Sequence, residues 1–153
     1  MRNYYKSKYG AKAVTIGGIR FQSQGEGDRY LYLRDCERKG LIEDLRLQVP
    51  FELYPPVYEK RTLKRGPRAG HVVNGRLLLE GMSYIADFVY RLPDGSLVVE
   101  DYKGVQTPVF KLKYRLMMEL CGIRVRIVTR PCELVRRCDY DYEQMAREAR
   151  EER

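Results

Sequence analysis

Between Leu45 and Leu53 the apolar residues Leu45, Leu47, Val49, Phe51 and Leu53 alternate with Arg46, Gln48, Pro50 and Glu52, the two-residue period of a strand buried on one face. Pro50 has no amide hydrogen for a neighbouring strand, so this strand belongs at a sheet edge or a bulge. Pro55-Pro56 ends it. Val14-Thr15-Ile16 and Ile19-Arg20-Phe21 around Gly17-Gly18 predict a small hairpin, and His71-Val72-Val73 and Arg76-Leu77-Leu78-Leu79 predict another with Asn74-Gly75 as its turn. Ile123, Val125 and Ile127 alternate with Arg124 and Arg126 in a further strand after Gly122. Two segments carry helical spacing instead. Tyr30, Leu33 and Cys36 fall on one side of a helix that Ser23-Gln24-Gly25-Glu26 opens as a capping box, that runs to Lys39 and that Gly40 ends. Thr107 caps a second helix with Pro108 at its first position, and Val109, Leu112, Leu116 and Leu120 form its expected apolar stripe. Gly25 and Gly27 cost the first helix about 1 kcal/mol each relative to alanine, which points to a backbone that is closely approached or bent.

The hairpin from Tyr84 to Lys103 breaks its own apolar pattern with acids. Pro93-Asp94-Gly95 suits a type I turn followed by a left-handed glycine, a three-residue loop that pairs Leu92 with Ser96. That register sets Asp87 across from Asp101 and Ile85 across from Lys103, with Asp87, Asp101 and Lys103 on one face. Facing like charges destabilise a sheet. A hard divalent cation with Lys103 beside it would offset the repulsion. A two-residue Asp94-Gly95 loop would instead turn Asp101 to the opposite face, and a slip by one makes Glu100 the rival ligand.

Composition narrows the class. The 153 residues, 44% hydrophobic, are expected to form one domain (1–153), with a basic arm (1–9) and a charged tail (about 139–153). Lysine and arginine number 29 against 21 acids, a net +8 that favours an anionic partner. The arm interleaves Arg2, Lys6 and Lys8 with Tyr4, Tyr5 and Tyr9, a mixture suited to phosphates and bases, or to a disordered terminus. Basic residues are densest in Glu59 to Gly70, where Lys60, Arg61, Lys64, Arg65 and Arg68 suit a mobile loop over a charged ligand as well as a solvated connection. Lys111, Lys113 and Arg115 give the second helix a basic face for a nucleic-acid backbone or for solvent. No apolar run approaches the roughly 18 residues of a spanning helix, so no membrane partner is expected. No signal-peptide-like segment opens the chain, and a cytoplasmic location is expected. Cys36, Cys121, Cys132 and Cys138 form no Cys-x-x-Cys pair, and His71 is the single histidine. Reduced thiols are expected rather than zinc or a Cys-His nucleophile.

The order is then helix, three strands, helix, strand, a mixed α/β (α+β) class with extra hairpins. Ala86-Asp87, a spacer and Asp101-Tyr102-Lys103 resemble the motif of the PD-(D/E)XK nuclease superfamily, with alanine where the motif's name has proline. The surrounding chain resembles a phage- and prophage-borne family of resolvase-like endonucleases within it, through Lys8-Tyr9-Gly10, Phe21-x-Ser23-x-x-Glu26-x-x-Arg29-Tyr30, Gln48-Val49-Pro50-Phe51, Tyr84-Ile85-Ala86-Asp87-Phe88 and Val99-Glu100-Asp101-Tyr102-Lys103-Gly104. The resemblance implies a restriction-endonuclease-like core and Mg²⁺-dependent hydrolysis of DNA, with Mn²⁺ as substitute. Asp87 and Asp101 would be metal ligands, joined by the Tyr102 main-chain carbonyl. Lys103 would orient or activate water, and Glu26 would hold metal or water if it is more than a helix cap. It further implies duplex or branched DNA, including Holliday junctions, a homodimer on such junctions, and a bacterial host. The alternatives are a basic nucleic-acid-binding protein that keeps the fold without cutting, and an RNA-associated structural protein that accounts for the charge but not the acids.

Overall fold

The computed structural model describes residues 12–135; the basic arm, Lys8-Tyr9-Gly10, Cys138 and the charged tail lie outside them. Strands β1 (Val14–Ile16) and β2 (Ile19–Phe21) form the expected small hairpin and lead into helix α1 (Gln24–Arg38). Ser23 caps α1, its Oγ accepting from the Glu26 amide at 3.2 Å. The two first-turn glycines mark close approach. A Cβ on Gly25 would collide with the Tyr102 phenol, and one on Gly27 would lie 2.8 Å from Ile16 Cδ1 and Val14 Cγ1.

β3 (Glu43–Tyr54), β6 (Met82–Arg91), β7 (Leu97–Tyr102) and β8 (Arg126–Val128) form one sheet in the order β3-β6-β7-β8, antiparallel up to β7 and parallel between β7 and β8. Helix α2 (Pro108–Cys121) makes that parallel crossover, with Thr107 Oγ1 capping the Phe110 amide at 3.2 Å. The described residues thus form a mixed α+β fold of two helices and several sheets. Pro50 sits on an edge strand, as its missing donor requires. β4 (Val57–Thr62) and β5 (Val72–Leu79) pair only with each other and are inserted between β3 and β6.

Three expectations are corrected. Asn74-Gly75 is no turn; both residues lie inside β5, where Asn74 Oδ1 accepts from Lys60 Nζ at 2.7 Å and Gly75 leaves room for the Glu59 carbonyl beside a register shift. Lys60 and Arg61 are accordingly strand residues, and the turn falls beyond them, where the Gly70 amide donates to Leu63 O at 2.8 Å. On α2 the expected stripe is largely outward: Val109, Leu112 and Leu120 are exposed, while Phe110, Tyr114, Met117 and Cys121 pack inward. Both sets have helical spacing, so periodicity alone does not choose between them.

The core is split between two clusters. Phe21, Leu33, Cys36, Phe88, Tyr90 and Val98 pack under α1, while Leu53, Tyr84, Ala86, Val99, Met117 and Val125 pack under α2. Strict alternation would keep Leu47 with Val49 and Ala86 with Phe88, yet each of these pairs is divided between the clusters. The change of face falls between the paired positions Leu47–Phe88 and Val49–Ala86, at Gln48 and Asp87. Gln48 has φ 49°, a left-handed conformation that reorients its side chain and rolls the strand pair over.

Candidate active site

The Tyr84–Lys103 hairpin has the expected register. Leu92 N donates to Ser96 O at 2.9 Å, Gly95 has φ 83°, and the ladder runs from Arg91–Leu97 to Phe88–Glu100. One step further in the same register Asp87 meets Asp101. There the ladder gives way to a side chain: Asp87 Oδ2 accepts the Tyr102 amide at 3.0 Å. Lys103 Nζ lies 3.0 Å from Asp101 Oδ1 and 3.9 Å from Asp87 Oδ2. The two acids and the lysine therefore come together, as their shared face predicted.

Glu26 joins them from α1. The Glu26 carboxylate reaches back over the start of the helix, where its Oε2 accepts the Gln22 amide at 3.1 Å. Its other oxygen faces Gln48 Nε2 at 3.3 Å, and the same nitrogen lies 3.1 Å from Asp87 Oδ1. Gln48 thus bridges the helix acid and the strand acid. Tyr84 Oη donates to Asp101 Oδ2 at 2.5 Å, which leaves Oδ1 shielded from solvent with no hydrogen-bond donor, only the misaligned Lys103 ammonium.

Burial and crowding set the protonation. Burial first, then contact with Asp101, pushes Asp87 up to about 8, against the pull of Lys103. Burial also raises Glu26, outweighing its bond from Gln22 and the nearby Lys103 charge. For Lys103 burial opposes the charged form, but Asp87 and Asp101 outweigh it and hold the ammonium above the usual lysine range. Tyr84 is raised by burial and by Asp101, so it stays a donor.

Glu100 is corrected as a rival ligand. It is fully buried on the opposite face of β7, where Arg29 grips it with Nε at 2.6 Å and Nη2 at 2.9 Å, Tyr90 Oη donates at 2.8 Å and Arg126 Nη1 lies at 3.3 Å. The register did not slip, and four donors already fill its oxygens. The basic face of α2 is also narrower than expected: Lys113 Nζ is tied to Ser83 O at 2.7 Å and Arg115 pairs with Glu119 at 2.7 Å, while Lys111 is exposed. Lys64, Arg65 and Arg68 are exposed in the turn beyond β4.

Gln48 and Tyr84 stand out in the linear chain only as parts of a motif, and the geometry gives them positions at the site. Their signal is the pairing of β3 with β6, which the inserted β4–β5 hides in the linear chain. Arg29, Tyr90 and Arg126 are unreadable as partners of Glu100 without knowing that β7 buries both faces.

Among the described residues no group of three His, Cys, Asp or Glu side chains is placed to hold a metal ion alone. The donor set nonetheless suits Mg²⁺, which keeps several waters and needs only one or two carboxylates beside phosphate oxygens. The buried Asp101 Oδ1, which has Lys103 Nζ at 3.0 Å but no aligned hydrogen bond, lies beside a second strand acid, and such a pair of carboxylates is the donor set that a small cation takes. No described helix is long and apolar enough to cross a membrane.

Residues 6–133 match the model of a family described as a protein of unknown function (DUF1064). No curated protein and no solved structure gives a match.

Proposed function

This chain belongs to the DUF1064 family, and we propose that it is a divalent-metal-dependent DNA endonuclease of PD-(D/E)XK type that hydrolyses phosphodiester bonds. The observation that carries this reading is the meeting of Glu26, Asp87, Asp101 and Lys103, from one helix and one strand hairpin, with Gln48 bridging Glu26 and Asp87 and Lys103 paired to both strand acids. Asp87, Asp101 and the Tyr102 main-chain carbonyl would hold Mg²⁺ or Mn²⁺, which when bound polarises the phosphate and makes its water a better nucleophile. The chain's own side chains do the rest. Tyr84 and Gln48 hold the two strand carboxylates in fixed rotamers, so the ligand oxygens are set before substrate arrives. Lys103, a third exposed and close to both acids, reaches toward solvent with a charge that offsets the scissile phosphate and orients the attacking water. Glu26 accepts from Gln48 on the helix side and is placed to hold a water there.

A resolvase-like, branch-selective version of this reading brings a homodimer and a phage- or prophage-borne cytoplasmic setting with it. A second reading, a basic nucleic-acid-binding protein that retains the fold without cutting, draws on the absence, among the described residues, of a group of three metal-ligating side chains. One experiment separates them. Four-way junctions, flaps, duplex and single strands are incubated with Mg²⁺ or Mn²⁺ and the wild-type, Asp101→Ala or Lys103→Ala protein. Cutting by wild type that both substitutions abolish is expected. Equal cutting by all three proteins overturns the site, and metal-independent, salt-sensitive binding without cutting gives the second reading the field.

A further inference from the structure

β3 and β6 separate beyond the pairs Glu52–Ser83 and Tyr54–Met82, where Pro55-Pro56 leaves one strand and Glu80-Gly81 the other; β4 and β5 continue as a ribbon paired with nothing else. No residue from Tyr54 to Ser83 is buried, so the ribbon stands clear on both faces. Such a two-stranded element has little core of its own. Its charge is strongly basic: from Val57 to Leu79 it carries Lys60, Arg61, Lys64, Arg65, Arg68 and Arg76 against the single acid Glu59, and no acid lies in its tip from Lys60 to His71. Several cations elsewhere on the surface are paired, Arg34 with Glu37, Lys39 with Asp35, Arg46 with Asp44 and Arg115 with Glu119, while exposed Lys12, Arg20, Lys111 and Arg130 are scattered singly along the chain. By contrast Arg61, Lys64, Arg65 and Arg68 make no ion pair among the described residues, and Lys60 bonds only the neutral Asn74.

Shape then selects among polyanions. Two paired strands lie about 5 Å apart. The major groove of B-form DNA, about 12 Å wide and about 8.5 Å deep, admits a two-stranded ribbon as it stands, whereas a minor groove of about 6 Å has to be opened or bent to take one, at a cost in deformation energy. The major groove of A-form RNA is too deep and narrow for side chains to read. We propose that the β4–β5 ribbon inserts into the major groove of B-form duplex DNA beside the cleavage site, which makes duplex DNA, not RNA or single strands, the substrate. This rests on the nuclease reading above and adds its substrate class. The ribbon continues the strands that carry Gln48 and Asp87, and about six residues of extended β3 separate Gln48 from its base, roughly 20 Å. The groove contact therefore lies about six base pairs or more from the cut phosphate, at about 3.4 Å per pair.

Binding is measured without divalent metal, so nothing is cut, on a 30-base-pair DNA duplex, an RNA duplex of the same sequence and the single strands, over a salt series. Wild type is compared with R61S/K64S/R65S/R68S, whose folding is checked by circular dichroism. Tighter binding to duplex DNA than to duplex RNA, by about 10-fold or more, is expected, with a salt slope that drops in the variant by about 0.9 for each phosphate no longer neutralised. Dimethyl sulfate footprinting of the wild-type complex gives a readout that needs no variant: protection at guanine N7, in the major groove, supports the proposal. Protection at adenine N3 alone, equal affinity for duplex RNA, an unchanged salt slope, or a drop in solution mass in the variant that marks the ribbon as a joint between two copies each overturns it. Cutting assayed separately with Mg²⁺ keeps the two ideas apart. Metal-dependent cutting without N7 protection sinks the ribbon proposal alone, and N7 protection without cutting sinks the nuclease reading alone.

Discussion

Glu100 and Asp101 are consecutive residues of one strand, both carboxylates and both almost wholly buried, yet their surroundings are opposite. Glu100 faces α1 and is saturated by Arg29, Tyr90 and Arg126, while Arg29 also holds the Pro131 carbonyl at 2.9 Å and Arg126 the Leu134 carbonyl at 2.6 Å. Asp101 faces a second acid, has one aligned donor in Tyr84 and keeps an oxygen with none. Burial alone therefore does not mark a functional acid. What separates the two is how the protein supplies the compensating charge: at Glu100 two buried arginines tie α1, β7 and β8 together, while at Asp101 one part-exposed lysine is shared with a second acid, the arrangement that the proposed metal site requires.

The largest effects should come from exchanging charge for its neutral isostere at these two neighbours. Glu100→Gln leaves Arg29 buried without a counter-charge and Arg126 with only Glu133 at 3.7 Å, and should cost about 3–5 kcal/mol in urea unfolding. Asp101→Asn keeps the shape and the Tyr84 hydrogen bond, loses the Lys103 pair and eases the pressure that keeps Asp87 protonated, so it should leave the unfolding free energy within about 1 kcal/mol of wild type while cutting is lost. Similar destabilisation by both substitutions would erase the contrast. So would an Asp101→Asn protein that cuts normally.

A smaller effect lies in the pH dependence of the metal-free protein. Asp87, raised to about 8 by burial and by Asp101, binds its proton more tightly folded than unfolded. The native chain thus carries the extra proton between the ordinary aspartate range near pH 4 and about pH 8. Stability is highest at the lower end and falls as pH rises through that window, by on the order of 1 kcal/mol per unit at most. Glu26, also raised, acts in the same direction, while Lys103 titrates above the window. Thermal unfolding from pH 5 to 9 should show the decline, and Asp87→Asn should flatten most of it. A stability that rises with pH over this range would mean that Asp87 is ionised in the metal-free fold.

How much of this was legible in the linear chain depended on how local its cause was. The β6–β7 register followed from three residues, Pro93-Asp94-Gly95, because a turn fixes the pairing on either side of it. The caps at Ser23 and Thr107 were equally local. Asn74-Gly75 misled because its hairpin chemistry is conditional on the chain turning there, and a strand partner, β4, overrode it. The α2 stripe misled because apolar residues occupy more than one helix face. Gln48 was hidden for a different reason: its place beside Asp87 depends on a pairing across the whole β4–β5 insertion and on a left-handed residue inside a strand, which no periodicity announces.

Gln48 also supplies the smallest predicted change, and the one that sharpens the contrast most. Its φ of 49° strains a residue with a side chain by about 1 kcal/mol, and its amide is the donor shared by Glu26 and Asp87 on the undersupplied side of the sheet. Gln48→Gly relaxes the backbone but adds unfolded-state entropy, so its stability should stay within about 1 kcal/mol of wild type and above that of Gln48→Ala, which keeps the strain. Both substitutions remove the amide, and both should lower cutting by about 10- to 100-fold, the usual cost of losing a group that orients a metal ligand. The two readouts part company only if the strain serves the site. Equal stability of the two variants would show that the left-handed turn is not costly here, and full cutting by Gln48→Gly would show that Asp87 needs no help from β3, leaving the face switch at this position a feature of packing alone.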